Sequence, residues 1–394
     1  MISIDTVSRE AFEDTRRAIG ALPAHQQPIW RDDDARDEAI SSLERSVPLV
    51  SESEIAELKD SLRAVATGNA FLLQAGDCAE PMTDTSSSVV ENKAQALDVM
   101  SRMLERRTHA PVVRVGRIAG QFAKPRSQSH ETVGGSLIPT YRGSLVNDPY
   151  PSARARVHEP ERLVRARAAA EVITQQLRCR GGERIWTSHE ALVLDYELPQ
   201  IRPTSDGRAM LRSAHTIWVG ARTSQLDHAH VALAASIINP VGCKVSAGTT
   251  PDDLVSLANV INPNRETCKL MLIARMGASV DRLPALMSAV KREGHPAIWL
   301  CDPMHGNTRT AADGRKTRYL EAIKNELMGF QQAARGTGVI AGGAHLETTI
   351  DDVKECLINV QDVREGHDPY TSLCDPRLTI RQAVEVLSHW DSGA

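Results

Sequence analysis

Two sets of side chains in this sequence could act together as a chemical site. The first is cationic: Arg117, Lys124, Arg126, Arg222, Lys244 and Arg275. Six positive charges around one rim repel one another unless strongly anionic ligands offset them, so phosphates or carboxylates are the expected occupants. Any one of the six reads equally well as a solvated surface charge or an ion-pair partner; only the set carries the signal. The second is Cys78, His305, Glu347 and Asp375, a mixture of sulfur, nitrogen and oxygen donors suited to a borderline divalent metal such as Mn, Fe, Co or Zn. No pair among them has a recognised local spacing, although His345 and Glu347 fall on alternate positions. A buried cysteine or a lone histidine is ordinarily structural, so these four do not establish a metal site by themselves.

These residues must be positioned by repeated elements. From Ala70 onward, short apolar runs alternate with amphipathic segments, the pattern of βα units around a parallel sheet. Eight strands are predicted at Phe71–Gln74, Val112–Val115, Ile185–Thr187, Thr216–Val219, Gly242–Val245, Leu270–Ala274, Ala297–Cys301 and Gly338–Ala341. Helical spacing links them. Val90, Ala94, Leu97, Met100 and Leu104 follow the capping serines 86–88, and Pro160 opens a helix whose Leu163, Ala166, Ala170, Ile173 and Leu177 share a face. Later helices are predicted over 225–238, 252–260, 284–292 and 318–334. Every strand end carries a polar group: Asp77 and Cys78, Arg117, His189 and Glu190, Arg222, Lys244, Arg275, Asp302 and His305, and His345 with Glu347. In a (β/α)8 barrel these ends converge on one mouth. A doubly wound sheet gives the same local pattern. Residues 1–68 are polar and acidic, with helical spacing at Ile55, Leu58, Leu62 and Val65 ending at Gly68, and read as an N-terminal helical extension to a catalytic unit over 69–394.

Composition removes several classes of function. Lys plus Arg total 46 against 50 Asp plus Glu, and a net charge of -4 without a basic tail argues against nucleic acid as the main partner. No apolar run approaches the ~18 residues needed to cross a bilayer, and the first twelve residues lack a signal-peptide pattern, so the expectation is a cytoplasmic protein without a membrane partner. Seven scattered cysteines do not form a disulfide framework or a CxxC zinc site. Neither a dinucleotide or P-loop motif nor a GxSxG elbow occurs. Trp186, Trp218 and Trp299 fall within strand runs and read as packing residues.

Several segments resemble the type II, plant-like 3-deoxy-D-arabino-heptulosonate 7-phosphate (DAHP) synthases. They are Gln74-Ala-Gly-Asp-Cys-Ala-Glu80, Arg117-Ile-Ala-Gly-Gln-Phe-Ala-Lys-Pro-Arg-Ser127, Tyr141-Arg-Gly143, Trp186-Thr-Ser-His-Glu190 through Asp195-Tyr-Glu197, Asp302-Pro-Met-His-Gly-Asn-Thr308, Gly342-Gly343 with His345-Leu-Glu347, and Cys374-Asp-Pro-Arg-Leu378. The resemblance covers about 70–380. It implies a (β/α)8 TIM barrel and a transferase that condenses phosphoenolpyruvate with erythrose 4-phosphate to DAHP and phosphate, the first step of the shikimate pathway to chorismate and the aromatic amino acids. It further implies a divalent metal, Mn(II) or Co(II), on Cys78, His305, Glu347 and Asp375. Arg117, Lys124, Arg222, Lys244 and Arg275 match the phosphoenolpyruvate cations, and Arg126 with Ser127 the aldose-phosphate site. Lys124, Glu190 and His305 are the implied catalytic residues, and a homo-oligomer is the family habit.

Departures leave the aldehyde open. Ala221 stands where the family usually has an acid, Ser224 where it has arginine, and Ser144 where it has aspartate. A branch of specialised metabolism using a modified aldose phosphate, such as an amino analogue, therefore competes with the primary reading, as does a non-catalytic barrel that binds metabolites. Only a short stretch, 190–215, joins the third and fourth strands, where longer relatives carry regulatory helices, so feedback by aromatic amino acids is expected to be weak. Cys374 precedes Asp375, so its thiol is expected beside that of Cys78, within reach of a regulatory disulfide.

Overall fold

The computed structural model describes residues 4–391, with side chains from Phe12 onward. Eight parallel strands form a closed ring: Phe71–Gly76, Val112–Arg117, Ile185–Glu190, Thr216–Val219, Val241–Ser246, Leu270–Arg275, Ile298–Cys301 and Ala341–Thr349. The ring closes where Leu72 pairs with Gly343 and Gly76 with Glu347. This is the (β/α)8 barrel, not the open doubly wound sheet. Its strands are covered on both faces, which is why they read as nearly unbroken apolar runs.

The predicted strands are right in number and order, but most end too early. The third runs on through His189 and Glu190, the second to Arg117, and the sixth to Arg275. Charged side chains lower the apparent strand propensity, yet at a barrel mouth they are the last inward residues of strands rather than loop residues. The eighth strand is misplaced at 338–341. Gly338 is instead the left-handed cap of the helix Leu320–Thr337, and the strand starts at Ala341. Its Gly342-Gly343 pair had weakened the strand pattern, and Gly343 serves the closing seam. With φ at +152°, a Cβ there would lie 1.8 Å from the Leu72 carbonyl oxygen, so only glycine lets the two strands approach.

Helices fill the crossovers where predicted, with moved ends. Ser86 caps Ser87–Thr108 by accepting from the Val89 amide. Thr250 and Asp253 form a capping box on Pro251–Ile261. The fourth crossover helix is shorter than 225–238, spanning Ala229–Ser236. Between the third and fourth strands lie only the short helix Leu194–Glu197, one 3-10 turn and a hairpin pairing Ile201 with Leu211.

The N-terminal segment holds three helices, Ile4–Gly20, Asp33–Arg45 and Glu52–Ala66. The third seats against the N-terminal end of the barrel. Its Leu58, Leu62 and Val65 are fully buried in one cluster with Leu72, Val115, Trp186, Trp218, Met271 and Ile298. No described helix is long and apolar enough to cross a membrane.

Candidate active site

Side chains on a strand alternate between faces, so inward residues recur every second position. Along the second strand they run Val115, Arg117; along the third Trp186, Ser188, Glu190; along the eighth Gly343, His345, Glu347. The barrel interior is therefore layered. Apolar side chains fill its N-terminal end, neutral polar ones the middle, and charged ones the mouth.

A cavity of about 180 Å³ opens at the mouth, and Arg117, Lys124, Arg222, Lys244 and Arg275 all line it, together with Glu190, His305 and Asp375. On one side are the donors. One ligand atom each from Cys78, Glu347 and Asp375 lie within 4.8 Å of one another. His305 Nε2 is 3.0 Å from Glu347 Oε1. Its Nδ1 faces Asp302, 2.8 Å away, which directs the Nε2 lone pair toward the other donors. The Lys124 ammonium sits among them, 2.7 Å from Glu347 Oε1, 3.2 Å from Asp375 Oδ2 and 3.2 Å from His305 Nε2. A positive charge at that point and a mixed sulfur, nitrogen and oxygen set fit a borderline divalent ion. Burial opposes the charge on Glu347, but His305, Lys124 and Arg318 outweigh it and hold its carboxyl well below the usual range. Burial likewise opposes charge on Lys124, yet Cys78, Glu347 and Asp375 push the lysine well above its ordinary value. Cys78 goes the other way: burial raises its thiol, so a thiolate there needs a bound cation.

The opposite side is cationic and less neutralised. Lys244 is 2.5 Å from Asp302 Oδ2, but burial brings its ammonium down to about 8. Arg275 donates to the His305 carbonyl at 2.9 Å, while its buried Nε has no partner among the described residues. Arg222 is exposed, and no described residue pairs with its guanidinium. Glu190 Oε1 is also buried without a partner. A Cβ on Gly220 would lie 2.0 Å from that oxygen, so glycine makes room for a free carboxylate.

The chain matches the family model described as the Class-II DAHP synthetase family over residues 15–183 and 180–389. It belongs to that family. It is 45% identical over 389 residues to a probable phospho-2-dehydro-3-deoxyheptonate aldolase of Pseudomonas fluorescens, covering 96% of this chain and 97% of the relative. It is 38% identical over 428 residues to the phospho-2-dehydro-3-deoxyheptonate aldolase AroG of Mycolicibacterium smegmatis, covering 93% and 91% of the two. The solved structure of a phospho-2-dehydro-3-deoxyheptonate aldolase from Francisella tularensis aligns with a TM-score of 0.54 at 13% identity, over 93% of this chain and 97% of that one. That likeness supports the fold alone.

Within this DAHP synthetase frame, two residues singled out from the sequence stand apart. Arg126 donates to the Tyr141 carbonyl at 2.8 Å and to Cys374 Sγ at 3.3 Å, and pairs with Glu131. Ser127 is exposed, and neither lines the cavity. The departures divide in the same way. Ala221 lines the cavity, whereas Ser144 is buried and clips backbone, donating to the Glu80 carbonyl at 3.0 Å and accepting from Met82 N at 3.2 Å. Cys78 and Cys374 lie in one buried cluster, both free, and the neighbouring Cys78 thiol lowers Cys374 below its usual value.

Other parts of this DAHP synthetase site escaped sequence reading. Arg318, fully buried, reaches Glu347 Oε2 at 2.7 Å and the Pro376 carbonyl at 2.6 Å, fixing two donor-bearing segments at once. Arg377 ties the Asp375 loop to Asp77, just past the first strand, at 3.0 Å, and to Glu355, beyond the eighth strand, at 2.8 Å. Gln121 donates to the Ala123 carbonyl and accepts from Glu190 N at 2.9 Å. Arg377 and Gln121 lie inside the quoted motifs. Arg318, just before a helix, had no sequence signal beyond being a charge in an apolar neighbourhood.

Proposed function

We propose that this member of the DAHP synthetase family condenses phosphoenolpyruvate with erythrose 4-phosphate, releasing DAHP and inorganic phosphate at the entrance to the shikimate pathway. One observation carries the reading: a thiol, imidazole and carboxylate cluster lies at the barrel mouth beside a single cavity that five cations line. A dianionic phosphate and a carboxylate would satisfy those cations without new residues.

Cys78, His305, Glu347 and Asp375 would hold the divalent metal, Mn(II) or Co(II). When bound, that ion supplies a Lewis acid to the aldehyde. Arg222, Lys244 and Arg275 bind the phosphate of phosphoenolpyruvate, and Arg117 and Lys124 its carboxylate side. As C3 of the enol attacks the aldehyde carbon, positive charge develops at C2. The free carboxylate of Glu190 orients the water that adds there, after which phosphate leaves. Lys124 enters charged, so it donates rather than accepts a proton as the aldehyde oxygen becomes a hydroxyl. Arg126 and Ser127 are assigned the aldose phosphate because they directly follow Lys124 and Pro125, which line the cavity.

Product mass spectrometry with phosphoenolpyruvate, Mn(II) and a panel of aldose phosphates tests this. DAHP and one equivalent of phosphate from erythrose 4-phosphate are expected. Product from an amino-substituted aldose phosphate alone would overturn the aldehyde assignment, and no consumption of phosphoenolpyruvate with any aldose would overturn catalysis.

A further inference from the structure

Arg117 gives most of its donors to the protein. Its Nε donates to the Asp77 carbonyl at 3.0 Å, and its Nη2 to Glu347 Oε1 at 2.9 Å and the Cys78 carbonyl at 3.4 Å. Its Nη1 lies 2.5 Å from His345 Nε2. A guanidinium has five N–H groups and no acceptor, so one Nη1 N–H remains for a ligand in the cavity that Arg117 lines. The side chain also lies over the Trp218 ring, 5.0 Å from its centre. The direction of that last donor depends on what His345 offers it.

The chemistry of the middle layer answers that. Ser188 Oγ lies 2.9 Å from the Gly116 carbonyl, which only accepts, so the hydroxyl donates there. It therefore accepts from Gln74 Nε2, 2.9 Å away. The amide orientation this sets turns Gln74 Oε1 toward His345 Nδ1 at 2.7 Å, so Nδ1 carries the imidazole proton. Nε2 is left with a lone pair and accepts from Arg117. Gln74, Ser188 and His345 are all 0–1% exposed, which keeps bulk solvent from these partners. Every donor meets an acceptor in one consistent direction, and the opposite histidine tautomer would set an N–H against the Arg117 N–H.

We infer that Gln74 and Ser188 are positioning residues that fix the tautomer of His345 and thereby aim the remaining Nη1 N–H of Arg117 at phosphoenolpyruvate. The inference rests on the proposed function for the identity of that anion. The chain starts at a backbone carbonyl of the same strand that bears Arg117 and ends on the eighth strand, so the arginine is held from its own strand and from a strand on the other side of the first. Such a device acts on binding of the anion more than on the chemical step, because Arg117 holds the same charge whichever way it points.

The test uses the full chain with Mn(II) in Gln74→Leu, Ser188→Ala and the double variant. KM for phosphoenolpyruvate is expected to rise roughly tenfold in Gln74→Leu and about threefold in Ser188→Ala, with kcat changed less than about twofold. The double variant should resemble Gln74→Leu alone, since both break one chain. In protein labelled with 15N-histidine, the His345 signal, assigned by its loss in His345→Asn, should report a protonated Nδ1 and bare Nε2. A protonated Nε2 in the wild type, additive effects, or a loss confined to kcat would each overturn the inference. Should a variant fail to fold, the wild-type tautomer still decides. Failure of the wild type to consume phosphoenolpyruvate would instead strike the proposed function and leave the tautomer measurable.

Discussion

At the N-terminal end of the barrel the inward side chains are Leu72, Val115, Trp186, Met271 and Ile298, sealed by Leu58 and Leu62 from the helix Glu52–Ala66. Two to four residues further along the same strands they are Arg117, Glu190, Arg275 and Asp302. One end buries hydrocarbon and gains stability from it. The other gathers like charges, an unpartnered carboxylate oxygen and a buried unpaired arginine nitrogen. Such groups are costly in a folded chain and persist because the opposite end supplies the stability and because ligands complete them. The two ends should therefore respond to perturbation in opposite ways.

The largest effect is expected from metal removal at the mouth. Chelation should take turnover below detection, and Mn(II) or Co(II) should restore it in the wild type but not in His305→Ala. Full activity in a metal-stripped sample, verified by elemental analysis, would leave the mouth without its donor role. Next is the sealed end. Leu58→Ala should destabilise the fold by about 2–5 kcal/mol in denaturant titration while kcat/KM of the folded fraction stays unchanged. A loss of kcat/KM without a loss of stability would dissolve the contrast between the ends.

A smaller effect follows from Lys244, whose ammonium burial brings down to about 8. Below that pH the amine is charged and attracts phosphoenolpyruvate; above it the charge is lost. The value of kcat/KM for phosphoenolpyruvate should fall roughly tenfold per pH unit above about 8, and Lys244→Arg should move that limb to higher pH. An unmoved limb in this variant would assign the titration to another group. The smallest effect concerns Cys374, which is buried in one cluster with Cys78. Cys374→Ser should leave turnover with Mn(II) unchanged and protect metal-free protein from inactivation in air, since Cys78 then has no thiol partner. Peptide mapping of oxidised metal-free wild type should recover the Cys78–Cys374 link, and its absence would refute this.

Much of the site was legible in the chain. Cys78, Arg117, Glu190, Lys244 and Glu347 each read as polar residues at the end of an apolar run, and eight such runs in order are the pattern of a barrel whose ends converge; Lys124 comes from the cation set and the family resemblance. The eighth strand was not: it is predicted at 338–341, short of Gly342 and Gly343, whose close approach to Leu72 appears only in the closed ring. Arg318 was not, because its partners Glu347 and Pro376 are 29 and 58 residues away.

What the sequence determined by itself is local or periodic: capped helices, buried runs, the donor types and the cations that the mouth would need. Alternation along each strand even sorts inward from outward residues once the strand ends are known. What only the tertiary structure decided is register and direction. Closure of the first strand on the eighth places Gln74 beside His345 and Gly76 beside Glu347. From that register follow the Lys124 ammonium among the donors, the turning of Arg126 toward Cys374, and the hydrogen-bond chain behind Arg117. Each is a contact between residues far apart in the chain, whose distance is set by how eight strands twist and close rather than by the identity of any one of them.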